Sequence, residues 1–440
     1  MPPTDQAVAG IRQQSNPAFM GFGFLGNGDV HAWNSWNGPA FDPDRGTMKI
    51  IPGPCKSLSM SLHVRVHARL DEIDAAQWNA LDASGYPFLR HEYLSALEQT
   101  GCVGNGTGWQ PCHLAAYDNG QLCAALPLYQ KAHSLGEFVF DFSWADAYDR
   151  LGLAYYPKLV AAIPFTPVAG PRALPTTGHP EDAHRLLVQT ALASMERADL
   201  SSFHCLFPDK TQADHWSRET GLLLRKACQF RWHNQGFADF DDHLSMFSAD
   251  KRKKIRRERR RVRDAGLRLE TWLGGDMTPD RWQAVYPLLA DTFYRHGHHP
   301  YLSQAFFERI SPALGEQMLL FVAFDDQTLV GAALAFRDAH TLYGRYWGTR
   351  GNWDSLHFEL CYHCGIDYCI RHGLTDYDPG TQGEHKLARG FLPSLTYSLH
   401  AIAHPALRQA IADFLTQESN WVDRYAARMD AHSPFKTNSA

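Results

Sequence analysis

The sequence predicts an α/β protein with mixed sheets, in which one domain architecture occurs twice in tandem. Residues 113–129 align without gaps on residues 320–336. Both segments have the pattern of a strand, a tight turn and a second strand. A chain of 440 residues also exceeds the length of a typical single hydrophobic core. A duplicated α/β domain is the simplest explanation of these observations.

Periodicity and turn signals predict the same order of elements in each copy: two helices, the hairpin, a long helix, a strand, a helix and a strand. In the first copy the elements are expected at residues 73–81, 93–100, 113–129, 180–198, 202–206, 212–220 and 222–232. In the second copy they are expected at residues 281–296, 304–314, 320–336, 356–372, 374–378, 383–391 and 395–402. We therefore expect one domain over residues 61–235 and another over residues 236–425.

The two ends of the chain differ from this pattern. Residues 1–60 are rich in Gly, Asn, Pro and Trp and have no periodicity, which predicts a disordered or extended leader. Residues 426–440 are expected to form a flexible tail. The argument about the fold therefore rests on the residues between them.

Composition and charge exclude several classes of protein. A net charge of -5 argues against a protein that coats nucleic acid nonspecifically. Nine cysteines, an odd number without a regular framework, favour a reducing cytosol, so we expect a cytoplasmic protein. Cys361 and Cys364 lack a second pair at metal spacing, which favours packing on a helix over a zinc site, and no metal is expected. No apolar run approaches the roughly 18 residues of a membrane span, so none is expected.

The turn after the predicted strand at 374–378 is the most informative segment for chemistry. It holds four ionisable side chains, those of Glu384, His385, Lys386 and Arg389. A general base, a proton donor and two anion holders are the groups needed for acyl transfer to an amine. Glycines bracket the cluster and allow close approach of a ligand, which favours a site over the alternative of a solvated loop. We expect Glu384 or His385 to relay the amine proton, and Lys386 and Arg389 to hold phosphate or a carbonyl oxygen.

Residues 251–263 predict a strongly basic helix. The segment contains ten basic residues and one acidic residue, and its apolar stripe consists of Ile255 and Val262. Its positive charges repel one another unless an anionic partner neutralises them, so we expect phosphate binding there. The residues expected to bind phosphate are Lys254, Arg256, Arg257 and Arg260. The alternative is a structural role, through pairing with upstream aspartates at Asp239, Asp241, Asp242 and Asp250.

Five sequence blocks carry a resemblance to a known family. They are Trp144-Ala-Asp-Ala-Tyr148, Tyr155-Tyr-Pro-Lys-Leu159, Ile163-Pro-Phe-Thr-Pro-Val-Ala-Gly-Pro171, Leu356-His-Phe-Glu-Leu-Cys-Tyr362 and Gly383-Glu-His-Lys-Leu-Ala-Arg-Gly-Phe391. Over residues 62–425 the chain resembles the peptidoglycan biosynthesis/recognition family, which is placed near the Fem aminoacyltransferases within the GNAT acyltransferase superfamily. The resemblance implies tandem GNAT-like domains, whose central sheet splays where the acyl donor enters.

The resemblance also implies a site for the donor's pyrophosphate. GNAT proteins carry their pyrophosphate-binding loop between a strand and the long helix, and here that position is occupied by Arg345, Tyr346, Trp347 and Gly348. Arg345 and Gly348 match the loop's pattern, whereas Arg350 stands where a small residue is usual. A tight turn after the strand explains the segment equally well.

Two further candidates lie in the family block that opens the long helix. His357 and Glu359 are implied as catalytic residues that could reach the turn at 384–389, while a packed or capping histidine is the alternative for His357. In the Fem relatives a basic helix is placed similarly between the two domains, which implies contact with a phosphorylated substrate or an RNA acceptor end. The first copy has no counterpart to the Gly-Glu-His-Lys turn. We expect the second copy to carry the chemistry and the first to help bind substrate.

The predicted function is that of an acyl- or aminoacyltransferase that moves an activated acyl group onto an amine by direct attack. The donor is either acyl-CoA or aminoacyl-tRNA, and the acceptor is a small or phosphorylated molecule. Residues 388–391 are shorter than the Phe-Lys-x-Gly-Phe motif of the Fem relatives and have Arg for Lys, which argues against tRNA. Two alternatives stay open: an acetyl-CoA-dependent N-acetyltransferase of a small amine or peptide, and a non-catalytic module that binds a phosphoglycan or RNA.

Overall fold

The computed structural model describes residues 47–48, 62–175, 181–381 and 383–436. The chain divides into two compact units. Unit 1 contains residues 1–227 together with Thr396–Val422, and unit 2 contains Cys228–Leu395 together with residues 423–440. The leader predicted over residues 1–60 lies outside the described residues, except for a two-residue strand at Thr47–Met48.

The first half of the chain alternates strands and helices. Its strands are β1 Thr47–Met48, β2 His63–His67, β3 Trp109–Pro111, β4 His113–Asp118, β5 Gln121–Leu126, β6 Leu128–Lys131, β7 Lys158–Ala161, β8 Ser202–Leu206 and β9 Leu223–His233. Its helices are α1 Ala75–Ala80, α2 His91–Gln99, α3 Phe142–Arg150, α4 Glu181–Arg197 and α5 Lys210–Thr220.

The second half repeats this alternation. Its strands are β10 Arg268–Leu273, β11 Met318–Asp325, β12 Thr328–Arg337, β13 Thr341–Thr349, β14 Asp376–Asp378 and β15 Leu392–Ile402. Its helices are α6 Phe240–Ser245, α7 Ala249–Asp264, α8 Pro279–Arg295, α9 Gln304–Leu314, α10 Leu356–Phe358, α11 Cys364–His372 and α12 Pro405–Ala431. A π-helical turn, Glu359–His363, joins α10 to α11, and a 3-10 helix, Glu384–Arg389, precedes β15.

Local sequence signals set the ends of several helices. Asp209 caps α5 by accepting a hydrogen bond from the Gln212 amide, and Gly221 ends that helix in the left-handed conformation. Thr278 caps α8 in the same way, with a proline at the first helical position. Ser303 caps α9 by accepting from the Phe306 amide. These helices therefore begin where the sequence offers a side-chain acceptor.

Unit 1 contains two sheets. The first has the strand order β1-β2-β4-β5 and is antiparallel. The second has the order β3-β6-β7-β8-β15, in which β7 and β8 are parallel and the other pairs are antiparallel. The part of β15 that pairs with β8 follows unit 2 in sequence, so a segment from the end of the chain completes this unit. Its core packs α4 and α5 residues such as Leu187 and Trp216 against strand residues such as Phe203.

Unit 2 contains one run of strands in the order β10-β11-β12-β13-β14-β9. The pairs are antiparallel except for β13 and β14, which are parallel. The last partner is the end of β9, where Trp232 lies opposite Tyr377. The core lies between this sheet and helices that include α7, α10 and α11. The predicted α/β fold with mixed sheets is confirmed.

The repeated hairpin is present in both units. In each copy the register shifts directly after the aligned alanine, at Ala116 in β4 and at Ala323 in β11. In each unit a parallel pair follows, β7 with β8 or β13 with β14, and then an antiparallel strand. The copies differ at Pro127, which separates β5 from β6 because proline has no amide to donate. No such break divides β12.

The domain boundaries differ from the predicted ones. Residues 398–402 pair with β8, so Thr396–Val422 belongs with the first unit rather than with residues 236–425. The predicted flexible tail is wrong for the residues described there, because α12 continues to Ala431 and Phe435 packs on Phe247 with ring centroids 4.9 Å apart. Residues 437–440 of that tail lie outside the described residues.

Candidate functional site

The sheet of unit 2 opens beside β13. This strand pairs with β14 only from Thr341 to Tyr343, but it continues to Thr349. Its register with β12 shifts at the same place, where Arg345 is an extra residue between Gly344 and Tyr346. A bulge bends a strand and redirects its side chains. From Arg345 onward β13 therefore has no strand neighbour on the β14 side within the described residues, and we call this opening the β13 gap.

The segment expected to form a pyrophosphate loop lies in β13, which is a correction. Arg345, Tyr346, Trp347 and Gly348 are strand residues, and the connection to α10 begins only at Arg350. Gly348 has a packing reason instead. A Cβ placed there would lie 1.9 Å from the Leu288 carbonyl oxygen, so only glycine allows α8 to pack this closely on the strand.

The predicted turn at 384–389 is a 3-10 helix between two glycines with positive φ, Gly383 at 94° and Gly390 at 90°. A Cβ at Gly383 would lie 2.1 Å from the His385 ring. A Cβ at Gly390 would lie 2.9 Å from the Phe247 ring. These glycines therefore allow His385 to fold back over the turn and the turn to pack against unit 2.

His385 is the exposed imidazole of the turn. Its Nε2 lies 2.8 Å from the Tyr362 hydroxyl oxygen. Partial burial, with the charges of Lys386 and Arg389, lowers the pKa of His385. The ring is therefore a neutral base near pH 7.

A row of rings connects His385 with the β13 gap. The His357 ring lies 6.1 Å from the His385 ring and 4.9 Å from the Trp347 ring, measured between centroids. Burial lowers the pKa of His357 to about 4, with smaller contributions from the charges of His385, Arg389 and Lys386. His357 is thus half-buried and neutral. The structure brings three predicted site residues, Trp347, His357 and His385, to one side of unit 2.

Lys386 lies beneath this row with only 2% of its surface exposed. Its ammonium donates a hydrogen bond to the Gly380 carbonyl oxygen, just beyond the end of β14. Burial lowers the pKa of Lys386 to about 8, although the nearby charge of Asp378 opposes the shift. The lysine is therefore a buried cation at the closed end of the β13 gap.

Arg389 does not fit the predicted role of anion holder. It is 3% exposed, and its Nε and Nη2 donate to the two carboxylate oxygens of Glu258 at 3.1 and 2.6 Å. Its Nη1 donates to the His385 carbonyl oxygen at 2.7 Å. These contacts direct the guanidinium into the protein, because its acidic partner lies on the basic helix at residues 251–263. One signal in the sequence could have predicted this buried acid. Glu258 lies three residues after Ile255 and four before Val262, on the same helical face as the apolar stripe.

The two remaining acidic candidates have partners away from the gap. Glu384 is exposed and accepts a hydrogen bond from the Tyr425 hydroxyl at 2.7 Å. Glu359 is 3% exposed and pairs with Arg259 of α7, whose Nε lies 3.1 Å away. Glu359 was expected to reach the turn at 384–389, but it does not. It lies in the π-helical turn and points toward α7. Glu384 stays beside the turn and open to solvent.

The basic helix is present as α7, and it has two faces. Ile255, Glu258 and Val262 are buried, while most of its cations are exposed. Arg256 pairs with Asp241 at 3.1 Å, so the structural alternative holds for this residue. Within the described residues no ion pair engages Lys254, Arg257 or Arg260. These cations are open to an anionic partner.

The first three family blocks are packed into unit 1. The Lys158 ammonium is fully buried and donates to Asp141 and to Glu137, the latter at 2.9 Å. Burial opposes the charge of Asp141, but Lys158 outweighs it and lowers the pKa of Asp141. Burial also raises the pKa of Glu137 to about 7. The block at residues 155–159 therefore contributes Lys158 to a buried ionic cluster with Asp141 and Glu137.

Among its described residues, unit 1 also lacks the opening seen beside β13. After β7 the chain returns to β8, where Gly170 forms a parallel bridge with Pro208. The Gly170 amide donates to the Phe207 carbonyl at 3.2 Å, and the Asp209 amide donates to the Gly170 carbonyl at 2.9 Å. The position equivalent to the β13 gap is thus closed by backbone hydrogen bonds.

The cysteine pair noted in the sequence lies on the helical segment that follows α10. Burial raises the pKa of the Cys361 and Cys364 thiols. In the part of the chain that the structure describes, no three metal-ligating side chains come together. No helix within that part is long and apolar enough to cross a bilayer.

Comparisons with solved structures find weak likenesses at low sequence identity. A tandem GNAT protein from the clavulanic acid biosynthesis pathway has 14% identity and a TM-score of 0.41, covering 78% of this chain and 99% of that one. FemX has 12% identity and a TM-score of 0.46, covering 77% and 98%. The C-terminal domain of a putative lysylphosphatidylglycerol synthetase from Agrobacterium fabrum has 11% identity and a TM-score of 0.47, covering 79% and 96%.

The family comparison covers most of the chain. No curated protein matches the sequence. The family model for FemAB-like proteins, described as peptidoglycan biosynthesis/recognition, matches residues 69–437. This range includes all five sequence blocks, the β13 gap and the turn at 384–389. The chain therefore belongs to the FemAB-like family of peptidoglycan biosynthesis/recognition proteins.

Proposed function

We propose that unit 2 transfers an activated acyl or aminoacyl group to an amine at the β13 gap. The observation that carries this proposal is the exposed, neutral His385, linked through His357 to Trp347, which lies where β13 has no described strand neighbour on its β14 side. An imidazole that is neutral at the operating pH can accept a proton and act as a general base. In the described part of unit 1 the equivalent position is closed by backbone hydrogen bonds, which supports unit 2 as the reacting unit.

The reaction follows from these groups. The amine nitrogen attacks the acyl carbon to form a C–N bond, and the bond to the leaving group breaks with its electron pair. His385 accepts the proton that the amine loses and passes it to the leaving group or to solvent. The buried ammonium of Lys386 lies at the closed end of the gap, where it holds a phosphate or the acyl carbonyl oxygen of the bound substrate. Positioning the amine beside the acyl carbon contributes much of the rate enhancement.

The test is a transfer assay with mass-spectrometric detection of acylated products. The protein is incubated with acyl-CoA donors or aminoacyl-tRNA donors and with a panel of amines, including phosphorylated ones. His385→Ala should lower turnover by about 10²- to 10⁴-fold, the usual contribution of a general base. His432→Ala, an exposed histidine of the same unit, is the matched control and should leave turnover unchanged. Full turnover in His385→Ala would remove the site assignment.

The donor is part of the proposal. Acyl-CoA and aminoacyl-tRNA both remain candidates, and an acetyl-CoA-dependent N-acetyltransferase is the narrower version. Because Arg345 and Gly348 lie in β13, residues 350–355 form the connection that a CoA pyrophosphate would protect. Hydrogen exchange in the presence of CoA measures this protection. Protection of residues 350–355 favours CoA, and its absence at saturating CoA favours an aminoacyl donor.

A second candidate function is binding of a polyanion by α7. The observation that favours it is the exposed set of Lys254, Arg257 and Arg260, which have no ion-pair partner within the described residues. Arginines are suited to phosphate recognition because their planar donors match phosphate oxygens. A tRNA or a phosphoglycan would supply the anion. Binding that survives in His385→Ala, in a protein that transfers no acyl group, would favour this function over catalysis.

The proposal includes a cytoplasmic location. The eight cysteines within the described residues are free thiols. Free thiols persist in a reducing compartment, whereas secreted domains commonly form disulfides. Fractionation of cells that express the protein tests this location.

A further inference from the structure

The inward face of α7 carries one acid. Glu258 is 5% exposed and lies in the buried row between Ile255 and Val262, whereas the opposite face of the helix is basic. A buried carboxylate is costly unless cations or hydrogen-bond donors surround it. The partners of Glu258 are therefore the reason it can be buried here.

Three donors surround the Glu258 carboxylate. Arg389 contributes two, at 3.1 Å from Nε and 2.6 Å from Nη2, and His363 contributes Nε2 at 3.2 Å. Burial opposes the charge of Glu258, but the hydrogen bond from His363 and the charge of Arg389 outweigh it and hold its pKa below the usual value. Two parallel donors from one guanidinium fix its plane as well as its position.

The remaining side of the Arg389 guanidinium contacts His385, the proposed base. Nη1 of Arg389 donates to the His385 carbonyl oxygen at 2.7 Å. The centre of the guanidinium lies 3.4 Å from the Phe358 ring centroid, and that ring is 6.1 Å from the His385 ring. Arg389 therefore contacts both the backbone of His385 and an aromatic neighbour of its side chain. Its own orientation depends on Glu258.

We infer that Glu258 is a positioning residue for His385, acting through Arg389. It touches no reacting atom, and its role in catalysis rests on the proposed function. Without Glu258 the Arg389 charge would be buried and uncompensated, a state that is strongly unfavourable. The guanidinium would then turn toward water and release the His385 carbonyl. The imidazole would lose its fixed position against Tyr362 and Phe358.

The experiment follows the His385 imidazole by NMR in full-length protein with labelled histidine, assigned by the signal that His385→Ala removes. Glu258→Gln should change the ring-current shift and the titration midpoint of that signal. His363→Gln is the matched control, because it removes a partner of Glu258 but leaves the Arg389 pair, and it should leave the His385 signal unchanged. A His385 signal in Glu258→Gln identical to that of the unaltered protein would overturn the inference.

A charge exchange separates positioning from stability. In Glu258→Arg/Arg389→Glu the ion pair can form again, but a glutamate at 389 cannot donate to the His385 carbonyl. Thermal stability should recover relative to either single variant, while the His385 signal should stay displaced. Recovery of both would show that the ion pair is structural only, and this test also applies if Glu258→Gln does not fold.

Activity gives an independent reading once a substrate is known. Glu258→Gln should lower kcat by about 10- to 100-fold, as expected for a displaced catalytic group, with little change in KM. A displaced NMR signal in a protein without transferase activity would refute the proposed function but keep the positioning role. An unchanged signal in an active enzyme would refute the positioning role but keep the proposed function.

Discussion

Single residues in unit 2 are fixed by contacts that the chain makes only when folded. Gly348 matched a phosphate-binding pattern in the sequence, yet it is required because the backbone of α8 passes over β13 at this point. Arg389 matched an anion-binding pattern, yet its donors are directed to Glu258 and to the His385 carbonyl. His385 keeps the predicted place in a turn between glycines. Residue type alone did not separate these cases.

Gly348→Ala should destabilise unit 2. The added Cβ would lie 1.9 Å from the Leu288 carbonyl oxygen, and backbone atoms cannot move aside as a flexible side chain can. We expect a loss of about 1–3 kcal/mol or more in the free energy of unfolding, measured by urea denaturation. Gly275→Ala is the control, because nothing lies within 4 Å of its Cβ position. Equal stability of the two variants would contradict the packing argument.

Lys386→Met should mainly weaken substrate binding. Methionine keeps much of the buried volume but removes the cation beside Gly380. If this charge holds a phosphate or carbonyl oxygen, KM should rise, and kcat should fall less than in His385→Ala. Steady-state kinetics on both variants measure the two patterns. Loss of kcat alone in Lys386→Met would assign the lysine to the chemical step.

At the scale of elements, α7 and β13 each serve two purposes. The inward face of α7 fixes Arg389 and packs on the core, while its outward face presents cations. The first part of β13 completes the sheet with β14, while its second part borders the gap. In α7 the two purposes are separated around the helix axis, and in β13 they are separated along the strand.

The outward face of α7 predicts a salt-dependent affinity for polyanions. Replacing Lys254, Arg257 and Arg260 with Gln removes three cations that have no ion-pair partner within the described residues. Each neutralised phosphate releases counterions, so the slope of log K against log salt should become shallower by about 2 to 3. Fluorescence titration with tRNA at several salt concentrations measures the slope.

A matched triple variant controls for net charge. It carries Arg218→Gln, Arg371→Gln and Arg424→Gln, which are exposed arginines elsewhere on the chain. Its slope should equal that of the unaltered protein. If both triple variants reduce the slope equally, the affinity reflects net charge and not α7.

The ionic cluster of unit 1 predicts a large loss of stability in Lys158→Met. Asp141 and Glu137 would keep their buried carboxylates without the ammonium that compensates them. Breaking a buried pair in this way costs about 3–5 kcal/mol. Lys210→Met is the control, because its pair with Asp214 lies at the surface, is screened by solvent and should contribute little to stability. Chemical denaturation of both variants gives the comparison.

At the scale of the whole molecule, both units bury neutral histidines. Burial lowers the pKa of His184 to about 4, that of His204 to about 3 and that of His243 to about 3. In the unfolded chain a histidine has a pKa of about 6.5. Between these values the unfolded chain binds protons that the folded protein excludes, so protons favour unfolding.

The free energy of unfolding should therefore be highest above about pH 6.5 and fall as the pH decreases toward about 3 to 4. Each buried histidine contributes up to about 1.4 kcal/mol per pH unit in this window. Urea denaturation at pH 7.5, 5.5 and 4.5 measures the trend. His243→Phe, in a pocket of aromatic rings, removes one titrating group and should reduce the slope. A stability that does not change between pH 7.5 and 4.5 would contradict the prediction.

The sequence by itself determined the repeated hairpin, the α/β class, the basic helix and the turn at 384–389. These follow from periodicity, glycine placement and charge, which act over a few neighbouring residues. It also placed His385 and Lys386 in that turn between glycines, and their roles in a site stay a prediction. The family blocks extended this to the FemAB-like family, whose model matches residues 69–437.

Only the tertiary structure decided which strand completes each unit and which charges are used internally. Residues 398–402 pair with β8 nearly two hundred positions earlier, a contact that no local pattern records. Glu258 meets Arg389 across 131 positions, and Glu359 meets Arg259 across 100. A side chain's charge is visible in the sequence, but its partner is fixed by the folded chain, and the partner decides whether that charge is free to bind substrate.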